Sequence, residues 1–359
     1  MKNRFAFAFT ALLAAVCGRA HAQASVVIYG VVDAAAEYQK ASAGSSGPAK
    51  SSKNLVSGTY SASRLGFRGS DDLGGGLKAF FQLEHGFDTD IGAVTGPAFW
   101  GRKSVVGLSG SWGEISLGRD YTPGFWVQFY TDVNTFAMYG NSGTMSGFAL
   151  TGMLRASNGI YYASPEINGF RGRLIYTFGD ESATAPTDAG RVIGLSGEYR
   201  SPTLSAGIFH QERKTVFPVN STSSEANVYQ GITGLYNFGA WAVSGGFARF
   251  DPAGPSTATS GVFKSFWVGA IYRFGLSDVR INVGHMTTDL AAPTKGKATL
   301  IGVNYSYYLS KRTNLYAGAG RVSNNVSAQF GLEGGSRAIP NRGRDSDTTA
   351  VGVGIRTTF

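Results

Sequence analysis

Arginines that alternate with apolar residues are the side chains whose type and spacing suggest a chemistry in this chain. Arg64 and Arg68 share one parity of a short segment, and Leu65 and Phe67 share the other. In an extended strand this two-residue period places the arginines on one face and the apolar side chains on the opposite face. Because a guanidinium stays charged at any physiological pH, the pattern predicts a surface lined with basic side chains that meets water.

The same alternation assigns further charged residues to the aqueous face. If Leu65 and Phe67 face the lipid of a membrane, a register slip of one residue would place Arg64 and Arg68 in hydrocarbon, at a cost of ~2–4 kcal/mol each near the membrane midplane. The other basic candidates for the lining are Arg102, Arg171, Arg173, Arg200, Arg280 and Arg356. The acidic candidates are Asp33, Glu84 and Glu114. Each acid is also an alternative partner that could neutralise one of the arginines.

The elements that must position these residues are strands of about ten residues, which is long enough to cross a bilayer at a ~45° tilt. Ile301 and Val303, for example, alternate with Gly302 and Asn304. Short connections rich in Gly, Pro, Asn, Asp or Ser alternate along the chain with long ones, the first of which covers 39–62. This pattern predicts an all-β fold: a closed, 16-stranded antiparallel transmembrane β-barrel with short periplasmic turns and long extracellular loops.

The composition of the 359 residues supports that fold over a soluble one. Only 15% of the residues are charged, against ~25% in typical soluble domains, and 51 are glycines. In a membrane barrel, every second residue of a strand faces lipid and is rarely charged, which explains the low share of charged residues. Glycines on the wall leave room in the lumen. Many aromatic residues lie near predicted strand ends, where they form either an interfacial girdle or, in a soluble sandwich, an ordinary core.

The first 22 residues have the pattern of a secretory signal peptide. Basic residues precede a short apolar stretch from Phe5 to Val16, and a cleavage site with small residues at Ala20 and Ala22 follows it. We therefore expect a signal peptide at 1–22 and the barrel at 23–359. Cys17 is the only cysteine and would be lost with the signal, so disulfides would not stabilise the mature chain.

A long segment near 121–158 is the third long loop, and its length suggests a functional role. Between Tyr121 and Leu154 its only charged residue is Asp132. Its aromatic residues are too numerous to extend into water, so the loop either packs on the rim or a neighbouring subunit, or folds into the barrel. These residues are Phe125, Trp126, Phe129, Tyr130, Phe136, Tyr139 and Phe148.

Five stretches from the first strand to the last resemble the general diffusion porins of β-proteobacterial outer membranes. The matching stretches are Ser25–Asp33, Ser63–Glu84, Val105–Pro123, Leu309–Tyr316 and Val351–Phe359. The resemblance implies a homotrimer of sixteen-stranded barrels in which the third loop folds inward. It also implies that Phe359 belongs to the signal read by the barrel assembly machinery.

The resemblance further implies a pore constriction. In these porins, arginines at the positions of Arg64, Arg102 and Arg155 form a basic cluster on the wall opposite the third loop. We expect this loop, with Tyr121 and Asp132, to narrow the channel. The remaining lining residues are expected to be Arg68, Arg171, Arg173, Asp33, Glu84 and Glu114.

The function expected from these observations is passive diffusion of small hydrophilic solutes across the outer membrane of a Gram-negative bacterium, with a preference for anions. A substrate-specific channel for small organic anions, or a barrel with an adhesin or structural role, remains an alternative. An enzyme is not expected, because parity places His85 and His285 on the lipid face and no catalytic motif is intact. We expect no cofactor, no metal and no nucleic acid; the expected partners are lipopolysaccharide, outer-membrane lipid and the barrel assembly machinery.

Overall fold

The computed structural model describes residues 25–179, 186–217, 223–257, 260–291, 295–332 and 342–359. The predicted signal peptide lies outside these residues. The described chain forms one continuous antiparallel sheet of eighteen hydrogen-bonded segments. Two of these segments occupy a single position of the wall, and the two-residue segment Ala93–Val94 lies in a loop, so the wall has sixteen strands as predicted.

The strands are defined as follows, in chain order. They are β1 (Ser25–Ala41), β2 (two parts, Lys50–Ser57 and Arg64–Gly74), β3 (Leu77–Asp88), β4 (Lys103–Gly110), β5 (Gly113–Tyr121), β6 (Arg155–Ala163), β7 (Phe170–Thr177), β8 (Val192–Arg200), β9 (Leu204–Val216), β10 (Ser224–Phe238), β11 (Trp241–Asp251), β12 (Val262–Phe274), β13 (Ser277–Asp289), β14 (Gly296–Tyr308), β15 (Thr313–Asn324) and β16 (Thr348–Thr358).

The first and last strands close the barrel. β1 pairs with β16 from Val31 opposite Thr358 to Ala41 opposite Thr348. The backbone of Phe359 extends this pairing, since its carbonyl accepts from the Gly30 N–H at 3.0 Å and its own N–H donates to the Gly30 carbonyl at 3.2 Å. Closure matters because an unpaired strand edge in hydrocarbon would leave polar backbone groups without partners.

β2 is interrupted where residues 58–63 leave the wall and turn into the barrel. The two parts of β2 both pair with β1, with Ser57 opposite Ala34 and Arg64 opposite Val31. The sequence analysis assigned 39–62 to a loop, so the strand Lys50–Ser57 was missed. Its sequence, KSSKNLVS, is mostly polar and lacks the alternation that identifies other strands.

The predicted alternation of faces is clear in β14. In β14, Ile301 and Val303 are 41% and 43% exposed on the outer face, whereas Gly302 and Asn304 point inward and are buried. The short connections lie where they were predicted, and the first uses Gly74, Gly75 and Gly76 at φ values of +83°, +62° and +81°. Aromatic side chains are exposed on the outer face near these turns, among them Phe238, Tyr272, Phe274, Tyr305 and Tyr307, and Phe178 is exposed at the long-loop end of β7.

The third long loop folds into the barrel and carries three short helices. These are α1 (Pro123–Thr131), α2 (Ser142–Met145) and α3 (Phe148–Thr151). The main apolar core lies between this loop and the inner wall, where it joins Met145 and Phe148 to Phe263 and Leu300. In the described chain no helix is both long enough and apolar enough to cross a membrane.

Candidate pore constriction

Three arginines from separate strands converge on the inner wall beside Glu84. Arg64 begins the second part of β2, Arg102 immediately precedes β4, and Arg155 begins β6. The Nε of Arg102 lies 2.6 Å from Glu84 Oε1, and the Nε of Arg64 lies 3.6 Å from Glu84 Oε2. Three guanidinium groups against one carboxylate leave a local formal charge of +2.

Tyr121 joins the cluster from the start of the inward loop. Its hydroxyl accepts a hydrogen bond from Arg102 Nη2 at 2.9 Å and a second one from Arg155. The Arg155 guanidinium also lies over the Tyr121 ring, 4.1 Å from its centroid. Both contacts hold the guanidinium groups in place at the junction of loop and wall, so the positive charge has a fixed position.

Other inward arginines are paired with acids that share their parity. Arg173 Nε lies 2.7 Å from Glu198, and Arg280 Nε lies 2.8 Å from Asp278. Arg200 Nη2 lies 2.7 Å from Glu166. The pairs of Arg173 and Arg200 reduce the net charge of the lining and leave both guanidinium groups partly exposed, whereas Arg280 is only 5% exposed, so its expected place in the water-lined wall is corrected to a buried ion pair.

The remaining predicted lining residues also project inward, with different surroundings. Arg68 is exposed, and its guanidinium lies 5.4 Å from the centroid of the Tyr29 ring. Arg171 faces Glu198 across the β7–β8 pair. Arg356 lies 5.3 Å from the Tyr60 ring centroid. Glu114 is exposed near a short turn, and the described residues provide no ion pair for it.

Asp33 and Asp132 occupy positions that the sequence analysis did not foresee. Asp33 points inward but is 0% exposed, because the segment 58–63 covers it and the Ser61 N–H and Tyr316 hydroxyl donate to its carboxylate at 2.9 Å and 2.6 Å. Its expected place in the water-lined wall is therefore corrected to a buried anchor.

Asp132 is 3% exposed and turned toward the wall rather than the passage. Its carboxylate accepts hydrogen bonds from the backbone of Asn134, Phe136 and Ser142 and from the Asn282 side chain. Burial raises the pKa of this carboxyl group, and the donated hydrogen bonds oppose the rise. The loop therefore presents no acid of its own to the three arginines.

Wall asparagines fix the rest of the loop. Asn282 Nδ2 donates to the Gly140 carbonyl at 2.8 Å, and Asn304 Nδ2 donates to the Tyr139 carbonyl at 2.8 Å. The Tyr139 hydroxyl donates to Glu37 on β1. Burial raises the pKa of this phenol, which keeps it a hydrogen-bond donor. The loop is thus attached to β13 and β14 through the asparagines and to β1 through Glu37.

Several residues of the site escaped the sequence analysis. Glu198 and Asp278 precede Arg200 and Arg280 by two positions, so the period-two rule that assigned the arginines would have found both acids. The inward segment 58–63 gave no comparable signal. Neither did the pair between Lys103 and Asp120, whose charged atoms are 2.7 Å apart, since a β-bulge before Asp120 breaks the local parity.

The chemistry of this arrangement is electrostatic. His85 pairs with Leu65 and stacks on Phe99, and His285 pairs with Phe266, so both histidines belong to the outer face. Within the described ranges no three His, Cys, Asp or Glu side chains come together in a way that could hold a metal ion. What the inner surface provides is a set of fixed guanidinium groups along an open passage.

Comparisons with known proteins agree with this geometry. Outer membrane porin protein 32 of Delftia acidovorans is 33% identical, and the match covers 96% of this chain and 97% of that protein. An outer membrane porin protein of Bordetella pertussis is 28% identical over 97% of this chain and 98% of its own length.

Among solved structures, an anion-selective porin from Comamonas acidovorans superposes with a TM-score of 0.80 and 29% identity, covering 94% of this chain and all of that one. A model of the Gram-negative porin family matches residues 8–327. With the family model spanning most of the chain and relatives matching nearly its full length, the chain belongs to the Gram-negative porin family.

Proposed function

We propose that this outer-membrane porin is a passive channel that prefers small anions, and that Arg64, Arg102 and Arg155 are its filter. The observation that carries the proposal is the cluster itself: three guanidinium groups face the passage with Glu84 as the only carboxylate bonded to them among the described residues. The Comamonas porin, described as anion-selective, supports the same conclusion by similarity.

The physical argument rests on the width of the passage. Fixed charge selects ions when the passage is no wider than the Debye length, ~8 Å at physiological ionic strength. The inward loop leaves the wall at Tyr121, whose hydroxyl accepts hydrogen bonds from Arg102 and Arg155, so the cluster lies where the loop enters the lumen. Anions passing there meet a net positive charge, while cations are repelled.

The direct test is the reversal potential of the purified porin in a planar bilayer under a KCl gradient. We expect chloride preference, which follows from the net positive charge at the constriction. Arg64→Ser and Arg102→Ser should each lower the chloride-to-potassium permeability ratio by roughly two- to five-fold, since unit charges ~4 Å apart in water interact by ~1 kcal/mol.

Arg321→Ser is the matched control, because Arg321 lies on the outer face and is exposed, where it pairs with Asp347. This variant should keep the wild-type reversal potential. A clear cation preference of the wild-type protein contradicts the proposal, and an unchanged ratio in both constriction variants removes these residues from the filter.

Further properties belong to the same proposal. We infer a homotrimer, export by way of a signal peptide cleaved before Gln23, contact with lipopolysaccharide, and recognition of Phe359 by the barrel assembly machinery. The Vibrio cholerae OmpT solved in a trimer form shares the fold at a TM-score of 0.65. The porin fold and family are those of non-enzymatic channels, and we propose no catalytic activity or cofactor for this chain.

A further inference from the structure

Three arginines of the inner wall each lie over an aromatic ring of the inward loop. Arg155 lies 4.1 Å from the centroid of Tyr121, as described above. Arg173 lies 5.0 Å from Trp126, and Arg200 lies 4.3 Å from Tyr130. All three separations are within the ~6 Å range of a cation–π contact. We call these three pairs the arginine–aromatic ladder.

The ladder descends from the constriction toward the short turns. Arg155 begins β6 on the long-loop side, whereas Arg173 lies opposite Ala163 at the far end of that strand. Arg200 is the last residue of β8, next to a short turn. On the loop, Trp126 and Tyr130 are one helical turn apart on α1, about 6 Å along the axis.

Both sides of the ladder are held rigidly. Glu198 and Glu166 fix the edges of the Arg173 and Arg200 guanidinium groups at 2.7 Å. The rings of Trp126 and Tyr130 stack on each other with centroids 5.8 Å apart and planes 22° from parallel. Arg173 and Arg200 keep 14% and 24% of their side-chain surface exposed, so a solute can still contact them.

A cavity adjoins the last pair of the ladder. It measures about 530 Å³ and lies at the short-turn end, between α1 and the inner wall of β9–β14. Phe129, Tyr130 and Tyr308 give it aromatic surface, and its charged lining residues are Arg273, Arg280, Asp278 and the buried Asp132. Asp278 neutralises Arg280, whereas Arg273 is exposed and forms no ion pair with the residues described.

We propose that the ladder and the cavity form a binding track for aryl carboxylates. Planar guanidinium groups and aromatic rings stack with a planar ligand ring, and the unpaired Arg273 supplies a partner for its carboxylate. The inference rests on the proposed anion-preferring channel and adds a solute class to it. A flat ring gains from stacking against these surfaces, and a puckered saturated ring of the same size and charge does not.

The test compares benzoate with cyclohexanecarboxylate as blockers of KCl conductance in a planar bilayer. Both acids are ionised at neutral pH and have similar size, but only benzoate has a planar aromatic ring. In the wild-type porin, the concentration of benzoate that blocks half of the conductance should be about three-fold or more below that of cyclohexanecarboxylate. A difference of this size is expected for one aromatic contact. Trp126→Leu and Tyr130→Leu should each bring the two concentrations together, and Trp126→Phe should preserve the difference.

Trp241→Leu and Tyr236→Leu are the matched controls, because these rings are 46% and 50% exposed on the outer face near the short turns. Benzoate and cyclohexanecarboxylate should block both variants as they block the wild type. Heat-dependent gel mobility checks the folding of each variant. Equal half-blocking concentrations in the wild type, or leucine variants of Trp126 and Tyr130 that keep the difference, overturn the inference while the KCl gradient result still stands. A cation preference in the KCl gradient overturns the proposed function. The comparison of benzoate with cyclohexanecarboxylate then shows independently whether the ladder binds an aromatic ring.

Discussion

At the scale of single residues, Glu84 is the negative charge that limits the anion preference of the arginine cluster. It lies between Arg64 and Arg102 and is bonded to both. Its carboxylate orients the two guanidinium groups and cancels part of their charge. Orientation and charge can be separated, because glutamine has nearly the shape of glutamate and can still accept a hydrogen bond while carrying no charge.

Glu84→Gln should therefore increase anion preference. Removing one negative charge at this distance should raise the chloride-to-potassium permeability ratio by roughly two- to five-fold. The reversal potential under a KCl gradient measures it. Glu212→Gln is the control, since Glu212 faces outward beside His210 and should leave the ratio unchanged. A lower ratio in Glu84→Gln would show that Glu84 acts mainly by holding the arginines in place.

At the scale of elements, the inward loop lies directly against the wall at one backbone contact. A Cβ added to Gly302 would lie 2.1 Å from the Tyr139 carbonyl oxygen and 2.6 Å from its carbon. Backbone atoms cannot move aside as a flexible side chain does. Gly302 is therefore the place where β14 admits the loop, and the asparagine contacts on either side depend on this approach.

Gly302→Ala should push the loop away from β14. The expected cost is ~1–3 kcal/mol, the range for an overpacked site, together with a changed single-channel conductance. Heat-dependent gel mobility gives the loss of stability, and bilayer recordings give the conductance. Gly197→Ala is the matched control, because a Cβ at Gly197 has no neighbour within 4 Å. Equal behaviour of the two variants would mean that the loop does not depend on this contact.

At the scale of the whole molecule, one seam joins the two ends of the barrel. Phe359 takes part with its backbone and with its ring, since a Cβ at Gly30 would lie 2.4 Å from the ring. Strands that follow one another in sequence find their neighbours through short connections or loops. The seam is instead formed by the segments most distant in the chain, so it depends on correct assembly of everything between them.

Phe359→Ala should reduce the fraction of folded barrel in the outer membrane by several-fold, because it removes the ring from the seam and from the proposed assembly signal. The amount of heat-modifiable porin in outer-membrane fractions measures this. Phe274→Ala is the control, since that ring has similar outward exposure, 43% against 52% for Phe359, but lies at a short turn. Equal yields of the two variants would argue against a special role of the terminal residue.

The sequence predicts the wall well and the interior less well, for a physical reason. Alternation along a strand reports only which face a side chain occupies, so the inward positions of Arg64, Arg173 and Arg280 follow from parity. Whether an inward residue meets water depends on what covers it. Asp33 and Asp132 are covered by contacts with residues from other parts of the chain, and no local pattern encodes those contacts.

The interrupted strand has a consequence for how such channels vary. β1 pairs with both parts of β2. Between the two paired stretches β1 has only two residues, Val32 and Asp33, whereas β2 has the six residues 58–63. The surplus residues bulge inward and place Tyr60 beside Arg280 and Arg356. The circumference, the strand number and the lipid-facing surface are all unaffected by the insertion. The width of the lumen and the circumference of the wall are thus independent in this architecture. Extra residues in one strand can narrow the channel while the rest of the barrel stays the same.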